Sequence, residues 1–265
     1  MAVPKRKVSK ARRDKRRSSV WKLTTPTPVS YTHLDVYKRQ VQFDKYPEKE
    51  VLGFDAVQGW EAVRAQLKKA AGTHGVLTAE FYPGVHREEL VAELSKLGFP
   101  MFDAERCAIS DDAYQQLIAP FVTQDRVFGV MNTLRLEDVY SAEKLAALGQ
   151  ELAACGGPAV VYGTGASLAA PQGTLIYFDM PRWEIQCRFR DGLKNWKTDN
   201  AREEKLRKFK RGFFVEWRMA DRKKKELLEK IAYAVDTVVP GVPKMVSGAG
   251  LRAGLAKLSL SLIHI

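Results

Sequence analysis

Between residues 75 and 190, short apolar runs alternate with stretches of helical periodicity, and that alternation leaves few folds open. Residues 75–82, GVLTAEFY, form a strand-like run, and Pro83-Gly84 is a turn signal. Leu90, Val91, Leu94 and Leu97 then recur at helical spacing until Gly98 stops the helix. A second helix begins after Ser141, carries Leu145, Leu148 and Leu152 along one face, and ends at Gly156-Gly157. Residues 159–165 and 174–179 are two further strand-like runs, the latter leading at once into a helix over 182–190. Runs without polar alternation belong to strands buried on both faces. Strands alternating with helices form βαβ units. The expectation is an α/β domain of three layers with a mainly parallel sheet. Residues 76–81, 160–162 and 175–178 should run parallel in that sheet. Fainter signals predict a partly extended segment over 99–109 and a helix capped by Asp111. They also predict a basic helical stretch over 201–231 that breaks near 212–217, and a last strand over 235–239.

Ligands of such sheets bind where strands end and helices begin. A Walker loop needs several glycines, a lysine and a Ser or Thr. The first turn offers only Tyr82-Pro83-Gly84-Val85-His86-Arg87, so a triphosphate loop is not expected there. Gly163-Thr164-Gly165 follows a strand, but no convincing helix follows it, and the dinucleotide fingerprint fails. The segment DMPRWEIQCRFR, residues 179–190, follows a strand directly. Arg182, Arg188 and Arg190, with Lys194 and Lys197 beyond, give a positive strip suited to a phosphorylated small molecule. Arg182, in the first turn, is expected to face the ligand. The plainer alternative is a solvated basic helix capped by Asp179, with Trp183 and Ile185 packed inward.

Charge is unevenly distributed. The chain carries +12 in all, yet residues 1–40 hold 12 Lys and Arg against 2 Asp, and the remainder holds 31 basic against 29 acidic residues. A role in nucleic-acid binding is therefore expected only of the leader. Lys5, Arg6, Lys7, Lys10, Arg12, Arg13, Lys15, Arg16 and Arg17 are dense enough to follow an RNA backbone. With so little apolar surface, residues 1–28 are expected to be disordered. No run of 18 apolar residues exists, and no membrane partner is expected. Cys107, Cys155 and Cys187 are widely spaced and odd in number, which fits a cytoplasmic, reducing environment. His33, His74, His86 and His264 show no metal-ligand spacing, and no catalytic or metal residue is assigned.

Several strings carry resemblances. MAVPKRK, then SKARRD and Arg16-Arg17, resemble the start of the zinc-ribbon ribosomal protein thirty-two of the bacterial large subunit, over about the first 26 residues. That resemblance implies rRNA binding; the alternative is a generic basic tail. VSYTHLDVYKRQ, residues 29–40, is similar to a translated pair of sequencing-adaptor ends, and LSLIHI, residues 260–265, to the same element in another frame. An ordinary linker and an ordinary tail are the alternative. YFDMPRWEIQCRFRDG, KRGFFVEWRMADRKKKELL and PKMVSGAGLRAGL resemble the N-terminal, kinase-like region of bacterial class I mannose-6-phosphate isomerases. The first string also resembles the strand and Arg-rich helix before the lid of nucleoside kinases.

These resemblances imply a kinase-like, P-loop-like domain over residues 41–259 without a Walker A motif. They imply that isomerisation and zinc belong to a cupin barrel missing from this fragment, which would then lack isomerase activity and hold no cofactor. The alternatives are a ribosomal fragment acting through residues 1–26, and a small-molecule kinase.

Overall fold

The computed structural model describes residues 50–73 and 75–263, together with Lys10, Ala11 and Lys15; for 260–263 the backbone alone is described. The chain divides into two compact units, residues 1–49 and 50–265. Lys10, Ala11 and Lys15 are helical. The expectations for the rest of residues 1–28, for the linker over 29–40, and for Tyr31, Leu34 and Val36 lie outside the described residues.

The second unit is built on β1 (Ala56–Gln58), β2 (Val76–Phe81), β3 (Met101–Asp103), β4 (Ala159–Gly163), β5 (Thr174–Asp179), β6 (Tyr233–Asp236) and β7 (Lys244–Ser247). These form one mixed sheet in the order β1-β7-β6-β5-β2-β4-β3. Strands β2 to β6 are parallel, and the three strand segments expected to share the sheet do so. Two antiparallel strands, β7 and β1, extend one edge. At three and four residues they carry too little pattern to be read from sequence. The last parallel strand begins at Tyr233 and ends at Asp236, earlier than expected, because Asp236 turns its carboxylate back onto the Val238 amide.

Helices cover both faces. They are α1 (Trp60–Ala71), α2 (Arg87–Ser95), α3 (Asp111–Val122), α4 (Ala142–Ala154), α5 (Ala166–Ala169), α6 (Arg182–Arg190), α7 (Lys205–Arg211), α8 (Trp217–Leu227) and α9 (Gly248–Ile263). Successive strand residues point to opposite faces. On β4, Val160 joins the core shared with α1, α2 and α6, whereas Val161 joins the core shared with α3, α4 and α5. The expected three layers follow from this division.

Local chemistry explains the boundaries. Ser141 caps α4, its Oγ accepting from the Lys144 amide at 3.4 Å. Ser110, not Asp111, caps α3 by the same bond to Ala113. The break expected near 212–217 is a π turn, Gly212–Glu216, that carries α7 on into α8. It needs a glycine, because a Cβ on Gly212 would stand 2.8 Å from the Trp217 ring.

Candidate functional site

The chain leaves β2 for β3 on one side of the sheet, returns through β4, and then crosses to β5 on the other side of β2. The C-terminal end of β2 is therefore the point where the winding reverses, the usual place for a ligand crevice. A cleft of about 720 Å³ opens there. The turn over 82–86 forms one wall, and Glu105, Thr164 and residues 192–197 form others.

The turn itself is rigid. Gly84 has φ +104°, and a Cβ on it would lie 2.5 Å from Ile185 on α6. Arg188 donates to the Gly84 carbonyl at 3.1 Å. The turn therefore forms no open, glycine-rich loop.

The next strand–helix junction is filled from inside the protein. After β4, Gly165 is left-handed (φ 83°) and starts α5, so the amides of Thr164, Gly165 and Ser167 turn towards the end of β2. The buried carboxylate of Glu80 accepts from Gly165 N at 2.6 Å and from Ser167 N at 2.7 Å. Glu105 accepts from Thr164 N at 3.0 Å. Burial raises both carboxyl pKa values, and the amide bonds pull the other way. α5 was not expected from sequence; its four residues are too few to show a period.

The cations of the cleft are Arg87, Lys194 and Lys197. Arg87 donates to Asp103 at 2.6 Å, lies 3.5 Å from Glu105, and covers the Tyr162 ring. Lys194 pairs with Asp199 at 2.6 Å, and Lys197 with Asp111 at 2.7 Å. Trp196 stacks on Tyr140 and meets Tyr114 edge-on, forming an aromatic wall behind them. Asn195 ties this wall inward through Glu216, whose Oε2 it approaches at 3.0 Å.

The three arginines of α6 do not come together in the cleft. Arg182 pairs with Asp221, which also accepts from the Tyr82 hydroxyl at 2.8 Å, and burial with this acid pushes the Tyr82 pKa up. Arg188 is 4% exposed and spends its donors on the carbonyls of Gly84, Thr237 and Val238 and on Glu184. Arg190 lies over the rings of Trp183 and Phe209 and donates to Cys187. Asp179 does not cap α6: it accepts from the Met180 amide and pairs with Lys224, and Pro181 is the N-cap residue. Of the two side chains expected to pack inward, Ile185 is buried, while Trp183 is 50% exposed under Arg190. Of the leader cations, only Lys10 and Lys15 lie among the described residues. Sequence reasoning passed over Arg87, Glu105 and Trp196; the nearest signal was Arg87 at the start of a helix after a strand–turn.

Among the described residues no three His, Cys, Asp or Glu side chains stand together as a metal site. Among the described residues no helix is long and apolar enough to cross a membrane. No curated protein matches the chain. Residues 2–40 match the family described as Ribosomal L32p protein family, a match that runs through the segment 29–40. Residues 59–260, which hold the whole sheet from the end of β1 and the entire cleft, match a second family. On that match over most of its length, the chain belongs to the family described as Domain of unknown function (DUF8485).

Proposed function

We infer that residues 41–259 work as a kinase-like module of a sugar-phosphate isomerase-like protein, one that binds a phosphorylated small molecule without transferring its phosphoryl group. The observation that carries this reading is the pair of carboxylates, Glu80 and Glu105, on the amides of Gly165, Ser167 and Thr164. Amides at such a strand–helix junction are what a phosphate-binding loop offers its ligand. With carboxylates already seated, a polyphosphate meets negative charge instead of free donors. The placement of β2 between β4 and β5, at the reversal of the winding, supports the kinase-like part of the reading. The ligand lies at the strand ends beside Arg182, whose partner Asp221 reaches the cleft wall through Tyr82. Free cysteines at 107, 155 and 187 support a cytoplasmic location.

Calorimetric titration tests the reading. Magnesium-ATP should bind weakly or not at all, and mannose 6-phosphate should bind without turnover in the presence of zinc. Arg182→Ala should weaken mannose 6-phosphate binding severalfold and leave the melting temperature nearly unchanged. Tight magnesium-ATP binding would restore the kinase alternative. Clear isomerisation would return catalysis to this part of the chain.

A second reading, RNA binding through the leader, is favoured by the ribosomal match over residues 2–40. Gel-shift titration of the chain with and without residues 1–28 tests it. Equal affinity of the two forms would remove the leader as the source.

A further inference from the structure

Residues 123–135, between α3 and the 3-10 turn Leu136–Val139, carry an apolar outer edge. Val127, Phe128, Val130 and Met131 are exposed, Phe128 by 71%. Large apolar side chains gathered at one surface mark an interaction site more often than isolated ones do. The backbone beneath them is tied down. Val130 N donates to Phe121 O at 2.8 Å. Asn132 Nδ2 donates to the carbonyls of Phe214 and Val215 at 2.6 and 2.8 Å. Arg222 donates to Leu134 O at 2.7 Å. Gly129 lies against the Phe214 ring, and the neighbouring Phe213 is itself exposed, with Arg218 over its face at 4.7 Å. The patch is thus held in a fixed shape.

Beside it, between the end of α3 and α7, lies a second cleft of about 290 Å³. Arg207, Lys210 and Arg211 enter it from successive positions i, i+3 and i+4 of one helix face, against a single carboxylate, Glu203. Two of the cations are already engaged. Lys210 donates to the carbonyls of Thr123 and Asp125, and Arg211 donates to Gln115 Oε1 at 2.7 Å. Arg207 is exposed, and its guanidinium has no hydrogen bond or ion pair among the described residues; the Glu204 carboxylate, already paired with Arg126, acts on it only from a distance.

We propose that this face docks an acidic segment of another protein, with apolar side chains over Phe128 and Phe213 and a carboxylate at Arg207. The excess of cations in the cleft selects an acidic occupant. A second copy of the chain would bring the same positive cleft against the patch.

Fluorescence anisotropy of the full chain tests the proposal. The probe is a labelled amphipathic helical peptide with leucines on one face and glutamates on the other, compared with the same peptide bearing glutamines. The glutamate peptide should bind at least about tenfold more tightly. Arg207→Glu should abolish that preference, and Phe128→Ser should weaken both peptides; both residues are exposed, so circular dichroism should show an unchanged fold. Equal affinities for the two peptides, or affinities untouched by both substitutions, would overturn the proposal. So would Phe128-dependent binding to phosphatidylcholine–phosphatidylglycerol vesicles without peptide binding, which would assign the face to a membrane. Concentration-dependent dimerisation lost in Phe128→Ser would overturn it in favour of a second copy.

Discussion

Glu216 is a carboxyl group inside the protein, at the end of the π turn and bonded to Asn195 beside the aromatic wall of the cleft. Its Oε2 accepts from Asn195 at 3.0 Å, and its Oε1 has no partner among the described residues. The Asn195 amide, the Arg211 charge and the Trp196 backbone amide oppose the burial, and the Tyr114 hydroxyl, which feels the Glu216 charge, has no hydrogen-bond partner among the described residues. Burial dominates and lifts the Glu216 pKa from 4.5 to about 7. The folded chain therefore keeps a proton that the unfolded chain has released between those values. The stabilisation is complete below about pH 4.5 and declines as pH rises towards 7. The whole decline is about 3 kcal/mol. Glu216→Gln keeps the shape and cannot ionise. Its stability relative to the native chain should rise with pH across this window and level off above pH 7. Urea melts of both proteins at matched pH values measure the difference, which would be flat if Glu216 did not titrate there. Glu80 is buried as deeply, but each of its oxygens accepts from a backbone amide, whereas Glu216 Oε1 has no such bond.

At the scale of elements, the parallel strands and the helices that follow them were legible because their patterns are long and local. Residues 174–179 and 182–190 come out as β5 and α6 with those bounds. What the sequence concealed depended on distant partners. β1 exists because it pairs with β7 far along the chain, and α5 exists because Glu80 on β2 holds its first amides. The basic strip of α6 was visible as charge, but its destinations were not. Arg188 looks like an anion-binding residue in one dimension, yet it joins the β2–α2 turn, the segment after β6, and α6 itself. Removing it leaves buried carbonyls unsatisfied. Each hydrogen bond to a charged group is worth roughly 1.5–3 kcal/mol. Arg188→Met should therefore cost several kcal/mol and lower the melting temperature strongly. Arg182, paired with Asp221 and about two-fifths exposed, should cost under about 1 kcal/mol when replaced. Thermal melts of the two variants side by side separate these roles. Equal, small losses would show that the Arg188 bonds contribute little.

For the whole molecule, the decisive property is where the charge resides. The leader cations number nine between Lys5 and Arg17, whereas residues 41–265 hold 31 basic against 29 acidic residues. In that second region many cations are already spent on structure: Lys208 donates to three backbone carbonyls, and Arg222, Lys223 and Lys224 are each bonded to carbonyls or acids. The two regions should therefore respond differently to salt. If all nine leader cations neutralise phosphates of a single-stranded RNA, the logarithm of the binding constant should fall with the logarithm of salt concentration at a slope on the order of −6. Fewer engaged cations give a proportionally smaller slope, so the measured value counts those in contact. A chain beginning after residue 28 should lose most of both the affinity and the slope, because no comparably dense run of cations remains in the sequence. Filter binding of a poly-uridine RNA over a salt series, with both forms of the protein, measures this directly. A steep slope that survived the deletion would place the RNA on the α/β unit, and Arg207 with its neighbours on α7 would then be the first residues to replace.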